Sequence, residues 1–212
     1  KYVEELIDEY NEKKANCFFC YNIAGPLSDK MKKKNIPSFQ LSMKSILDIS
    51  AARKLAAYCR ENKIDIIASQ YPRENILAII SKLFYKKPGV VFTSHLVTSY
   101  NLIWRIINKI FTRYNKKIIA VCSYGKKLLS ESGYPDGKIE VIYNGISLPS
   151  KKSSSLREEL GLTDEFIIFT MARYNPIKGL DFLLQSMYEL KKLADRPFKL
   201  VIAGDGEEKE KF

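Results

Sequence analysis

Two cationic residues, Arg173 and Lys178, stand just past an apolar, β-branched run in Phe166–Gly179 (FIIFTMARYNPIKG). An arginine fork and a lysine point charge on one loop can grip the two phosphoryl groups of a diphosphate. Gly179, next to the lysine, opens a helical pattern. The unpaired N–H groups of a helix start would add partial positive charge at the same place. A second apolar run, Lys199–Ala203, stops at Gly204-Asp205-Gly206. These are the first two glycines of a dinucleotide-binding turn, and Lys209 occupies the place of the third. His95, the one histidine, follows the apolar run Val90–Ser94. An imidazole at a strand end can hydrogen-bond a hydroxyl or accept a proton. Each feature also has a plainer reading: solvated cations in a basic chain, an ordinary strand-to-helix turn, a structural histidine.

The elements that must position these residues alternate helix and strand from the start. Apolar residues at helical spacing (Val3, Leu6, Ile7, Tyr10) predict a helix over Tyr2–Ala15. Further helices are expected at Ser28–Lys34, Ile46–Asn62, Asn75–Tyr85, Leu102–Tyr114, Gly125–Ser132 and Leu180–Leu193. Between them fall the strands Asn16–Tyr21, Ser38–Leu41, Asp65–Ser69, Val90–Ser94, Lys117–Cys122, Lys138–Tyr143, Phe166–Met171 and Lys199–Ala203. Asp65–Ser69 reads as a buried strand, Gly133 as the glycine closing a helix, and Ser155-Leu-Arg-Glu158 as a capping box. Strands alternating with helices imply βαβ units, parallel sheets and the α/β class. In open parallel sheets, ligands bind beyond the C-terminal strand ends, where Arg173, Lys178, Gly204 and His95 all fall. Leu148–Ser155 (LPSKKSSS) breaks the pattern and reads as a linker. It separates a domain over 1–147 from the beginning of a second over 156–212. The chain opens on a helix and stops shortly after the strand at Lys199–Ala203, so both domains read as incomplete and the chain as an internal piece of a longer protein.

Bulk composition narrows the classes. Lys plus Arg number 35 and Asp plus Glu 24 in 212 residues, a net charge of +11, with 46% apolar residues. The charge points to anionic partners and the apolar fraction to an ordinary globular core. The lysines are scattered, which argues against nucleic-acid binding. Cys17, Cys20, Cys59 and Cys122 read as reduced core cysteines, because Cys17-Phe-Phe-Cys20 lacks a second ligand pair. No metal cluster and no phosphate loop of the GxxxxGK[ST] type is legible. No apolar run approaches the roughly 20 residues needed to span a bilayer. Leu102–Tyr114 is amphipathic and basic. It reads first as a core-facing helix covering the sheet and second as a helix lying on an anionic membrane surface.

The run MARYNPIKGLDFLLQSMYEL followed by KLVIAGDGEEKEKF resembles the nucleotide-sugar-dependent glycosyltransferases of family 4 (group 1), which have the GT-B fold. Val141–Ile146 (VIYNGI) and Leu156–Leu162 (LREELGL) are similar to the junction between that family's domains, and VFTSHLVTSYN and IIAVCSYGKKLL more loosely to its N-terminal domain. The resemblance implies two Rossmann-like domains: an acceptor-side domain (1–147) and a donor-binding domain (from 156). It implies retaining transfer of a sugar from a UDP- or GDP-linked donor to a glycan or lipid-linked acceptor, with no cofactor and no metal. Arg173 and Lys178 would bind the donor diphosphate and stabilise the leaving nucleotide. Gly204 would line the donor site, and His95 would approach the transferred sugar. The family's N-terminal Gly-rich loop and its E-x7-E carboxylates would fall outside this sequence, so the 212-residue chain alone is expected to have little transferase activity. A cytoplasmic location follows, with peripheral contact with an anionic membrane as an option, and polysaccharide or glycolipid synthesis as the setting. Two alternatives stay open: a nucleotide-sugar epimerase of related fold, and a non-catalytic module that docks on a membrane or partner.

Overall fold

Every strand pair in the computed structural model runs parallel. Strands joined by helical crossovers have to pair this way. The structure describes residues 2–95, 101–146 and 155–211. The chain divides into two compact units, Lys1–Ile146 and Ser147–Phe212. Nearly all of the expected linker, with the boundary at 147, lies outside the described residues.

The first unit opens with α1 (Tyr2–Glu12), β1 (Phe19–Tyr21), α2 (Pro26–Lys33), β2 (Ser38–Gln40) and α3 (Ile49–Glu61). It continues with β3 (Ile66–Ser69), α4 (Pro72–Ser81), β4 (Gly89–Ser94), α5 (Leu102–Phe111), β5 (Lys117–Ala120), α6 (Ser123–Glu131) and β6 (Ile139–Val141). Strands β3 to β6 form one sheet in sequence order, and β1 and β2 form another. One core cluster packs Leu55, Cys59, Ile76, Ile80 and Val90 together. A second joins Phe92, Ile118, Leu129, Tyr134 and Ile139. Strand β4 contributes to both, and its Val90 and Phe92 are fully buried. The end of β4 that carries His95 is thus anchored by the best-packed strand of the unit.

A buried polar clasp reinforces this frame. Asn75 Nδ2 donates to Asn115 Oδ1 at 3.1 Å, and Asn115 Nδ2 donates back to Asn75 Oδ1 at 2.7 Å. Ser69 Oγ donates to the same Asn75 oxygen. The clasp ties the end of β3 to α4 and to the segment entering β5. No motif announces it.

The second unit contains α7 (Leu156–Glu159), β7 (Phe166–Met171), α8 (Leu180–Leu193) and β8 (Phe198–Ala203). Strands β7 and β8 pair along their whole length, from Phe166↔Phe198 to Met171↔Ala203.

Several expectations need correction. The strand over Asp65–Ser69 is not fully buried: β3 is the edge of its sheet and Ile66 is exposed. Helix α3 starts at Ile49 rather than Ile46, because the Asp48 carboxylate accepts from Ala51 N and caps it. Helix α4 starts earlier than expected, at Pro72, whose missing N–H costs nothing in a first turn. Cys122 is not a strand residue. It caps α6, with Sγ accepting from Gly125 N at 3.3 Å. Cys20 is exposed, and only Cys59 is a fully buried cysteine; burial pushes its thiol up to about 11. Ser155 forms no capping box: its hydroxyl meets the Glu159 carboxylate and caps no backbone N–H. Gly133 does close α6, with φ +91. Finally, α5 turns only part of its aliphatic face to the core: Ile107 and Phe111 pack there with Trp104, while Leu102, Ile103, Ile106 and Ile110 stay exposed. The residues it buries are Asn108 and, just beyond its end, Thr112.

Candidate active site

The basic loop is built on the paired ends of β7 and β8. Past Met171 the chain continues against the β8 end, with Ala172 N donating to Ala203 O at 3.0 Å and Tyr174 N to Asp205 O at 2.9 Å. Glu208 N returns a bond to Tyr174 O at 3.2 Å. The Tyr174 hydroxyl reaches Ile202 O. Glycine is required at 204 and 206 by this close approach. A Cβ on Gly204 would collide with the carbonyl oxygen of Ala172, and one on Gly206 with the backbone of Tyr174. Gly204 thus lets the two strand-end turns lie against each other.

Asn175 shapes the next turn. Its Oδ1 accepts from Ile177 N at 2.9 Å and its Nδ2 donates to Glu207 Oε1 at 2.7 Å. That double tie holds the 3-10 turn Pro176–Lys178 against the 204–208 segment. Gly179 follows in the left-handed conformation (φ 64, ψ 33) and is the N-cap of α8 without a side-chain cap. The first N–H groups of a helix of this length are left to outside acceptors, and the helix dipole favours an anion there. Arg173 and Lys178 are both exposed beside this helix start. Acids in the neighbourhood are engaged elsewhere: Asp181 with Lys211 at 2.7 Å, and Asp205 with Lys209 at 3.7 Å. The result is a loop that carries two exposed cations and ends at a helix start without a side-chain cap. Such a set of charges and donors is chemically suited to a phosphate-containing anion.

His95 belongs to the first unit, just beyond β4. Its Nε2 lies 2.8 Å from Gln70 Oε1, so the imidazole donates from Nε2 to the amide oxygen. Gln70 follows β3, and the parallel register of β3 and β4 (Ser69↔Phe92) brings the two strand ends together. The Tyr2 ring meets the imidazole edge-on, with centroids 4.6 Å apart. Burial lowers the His95 pKa below the usual histidine range. The ring is thereby kept neutral and fixed in direction.

Arg173 and Lys178 thus lie on the segment that follows β7, Gly204 on the turn that follows the paired strand β8, and His95 just past the end of β4. Gln70, Tyr2, Asn175 and Glu207 support them and carry no sequence motif. For Gln70 the available signal was its place at the end of the neighbouring parallel strand. Part of VFTSHLVTSYN, residues 96–100, lies outside the described residues. Among the described residues no group of three His, Cys, Asp or Glu is placed to hold a metal. No described helix is long and apolar enough to cross a membrane.

Residues 1–149 match Glycosyltransferase Family 4. The chain belongs to that family. Residues 152–212 match Glycosyl transferases group 1. A curated Escherichia coli relative, UDP-Gal:alpha-D-GlcNAc-diphosphoundecaprenol alpha-1,3-galactosyltransferase, is 26% identical over 203 residues, covering 87% of this chain and 52% of the relative. Among solved structures, the chain is similar to a glycosyltransferase from Rickettsia africae (TM-score 0.71, 22% identity, 86% of this chain and 50% of that one). It is also similar to Anabaena HepE in complex with UDP (TM-score 0.75, 18% identity, 91% of this chain and 54% of that one). At these identities the structures speak for the fold alone. The family 4 chain has the α/β, parallel-sheet architecture of the GT-B class. It spans about half the length of the relatives it matches.

Proposed function

We propose that this chain is part of a retaining glycosyltransferase that moves a sugar from a nucleoside-diphosphate sugar to a glycan or lipid-linked acceptor. One observation carries the reading: Arg173 and Lys178 stand exposed on a braced loop before an uncapped helix start. Their fixed charges would hold the donor diphosphate and stabilise the negative charge that grows on it as the glycosidic bond breaks. No cofactor is needed for that step. The donor can be UDP- or GDP-linked; UDP is favoured by the donor named for the E. coli relative and by the ligand of HepE. Gly204, by closing the loop, would form the floor of the donor site. His95, held neutral by burial and directed by Gln70, would hydrogen-bond the transferred sugar. The lipid diphosphate on which the E. coli relative acts motivates the lipid-linked acceptor.

Titration calorimetry of the chain with UDP and with GDP tests the donor site. Arg173→Ala and Lys178→Ala are each expected to weaken nucleotide binding by about ten- to a hundredfold, the worth of a charge-assisted hydrogen bond. Both variants should melt at the wild-type temperature, because neither side chain is buried. Wild-type affinity in both variants would overturn the assignment. For the intact protein, free nucleotide released together with a glycosylated product marks a transferase, and an inverted donor sugar without transfer marks an epimerase.

A further inference from the structure

The first unit leaves an aliphatic ridge in water. On α5, Leu102, Ile103, Ile106 and Ile110 are 69%, 68%, 52% and 48% exposed. Their spacing puts them along one side of the helix. The opposite side is what seats it. Trp104, Ile107 and Phe111 pack against the core cluster of α3 and α4. Asn108 Nδ2 donates to Ser132 O at 3.0 Å, and Thr112 Oγ1 donates back to Asn108 O. Gly133 lies so near that a Cβ there would come within 2.5 Å of Arg105 O and 3.5 Å of Lys109 N. These contacts fix the rotation of α5, so the ridge cannot turn inward.

The ridge has a definite chemical border. Arg105 and Lys109 flank the ridge on the helix wheel, Arg113 follows in the 3-10 turn Thr112–Tyr114 after α5, and all three are exposed. From Leu102 through Lys117 the sequence contains no Asp or Glu. The Arg113 guanidinium lies over the ring of Tyr114, an exposed aromatic with a polar tip. An aliphatic stripe beside a row of cations and an amphipathic aromatic is complementary to an anionic lipid–water interface. At about 1.5 Å per residue, α5 is too short to cross a bilayer and has the form of a helix that lies in its surface.

We propose that α5 docks this protein on membranes containing anionic phospholipid. Leu102, Ile103, Ile106 and Ile110 enter the acyl boundary, and Arg105, Lys109 and Arg113 contact the headgroups. This surface shares no residue with the Arg173–Lys178 loop and does not depend on its role.

The test is cosedimentation of the 212-residue chain with vesicles of phosphatidylcholine alone and of phosphatidylcholine mixed with phosphatidylglycerol. The chain should bind the mixed vesicles at least about tenfold more tightly, and added salt should weaken that binding. Ile106→Glu with Ile110→Glu should abolish it while leaving the melting temperature unchanged. Lys109→Ala with Arg113→Ala, which touches no apolar side chain, should weaken it about fivefold per charge. Equal binding to both vesicle types would overturn the proposal, as would wild-type binding by the charge variant or no binding at all. So would a wild-type dimer, seen by sedimentation, that ignores vesicles and becomes monomeric in the isoleucine variant; the ridge would then be a contact between copies.

Discussion

A neutral imidazole and a pair of exposed cations make different demands on the residues around them. Arg173 and Lys178 need only be presented, and what presents them is Asn175, through its bonds to Ile177 N and Glu207. His95 has to be desolvated and aimed, which takes Gln70 and Tyr2. Desolvation has a pH signature. The folded pKa of His95 lies below the ordinary value of 6.5. Between those two values the unfolded chain binds more protons than the folded one, so the stability of the first unit rises with pH through that window. Below the ordinary value, keeping His95 neutral costs stability, and that cost grows until the folded pKa is reached. His95→Gln should flatten this acid-side slope in denaturant titrations, whereas Gln70→Ala should alter it without removing it. An unchanged slope in His95→Gln would show that other groups set it. The cations and the histidine were legible from residue type and place alone. Their supports were not, because a glutamine or asparagine acquires its role only from a neighbour brought in by the fold.

Elements were legible wherever one periodicity dominated, as in β4, β5, β7 and α8, and parallel pairing followed from their alternation. Boundaries moved where a cap decided them, at Asp48 for α3 and Cys122 for α6. The expected face of α5 split: Ile107 and Phe111 pack on the core, whereas the rotation fixed by buried Asn108 and its bond to a helix-end carbonyl leaves Leu102, Ile103, Ile106 and Ile110 in water. The reciprocal Asn75–Asn115 pair is a similar case: two polar side chains that composition alone would place at the surface are 1% exposed. Removing one member leaves the other amide dry and unsatisfied. Asn75→Ala should therefore cost about 2–3 kcal/mol by urea unfolding. Asn115→Ala should cost a similar amount, and the double variant clearly less than the sum, because the second change removes the stranded partner. Strict additivity would mean that the pair does not act as a unit.

At the scale of the whole molecule the two units are unequally built. Apart from Leu180, every buried apolar residue among those described belongs to Lys1–Ile146. In the second unit, Phe169, Met171, Phe182, Tyr188 and Leu193 remain exposed. Stability follows buried apolar area, so local opening should be much easier there. Hydrogen exchange followed by mass spectrometry should find the β7 and β8 amides of the 212-residue chain exchanging at least about a hundredfold faster than those of β4 and β5, a gap of roughly 3 kcal/mol. Saturating UDP should slow exchange in β7, β8 and the start of α8, because a ligand that binds only the closed form adds its binding free energy to the opening cost. It should leave β4 and β5 unaffected. Equal protection in both units without ligand would contradict the packing argument. Protection by UDP confined to the first unit would instead move the nucleotide away from Arg173 and Lys178.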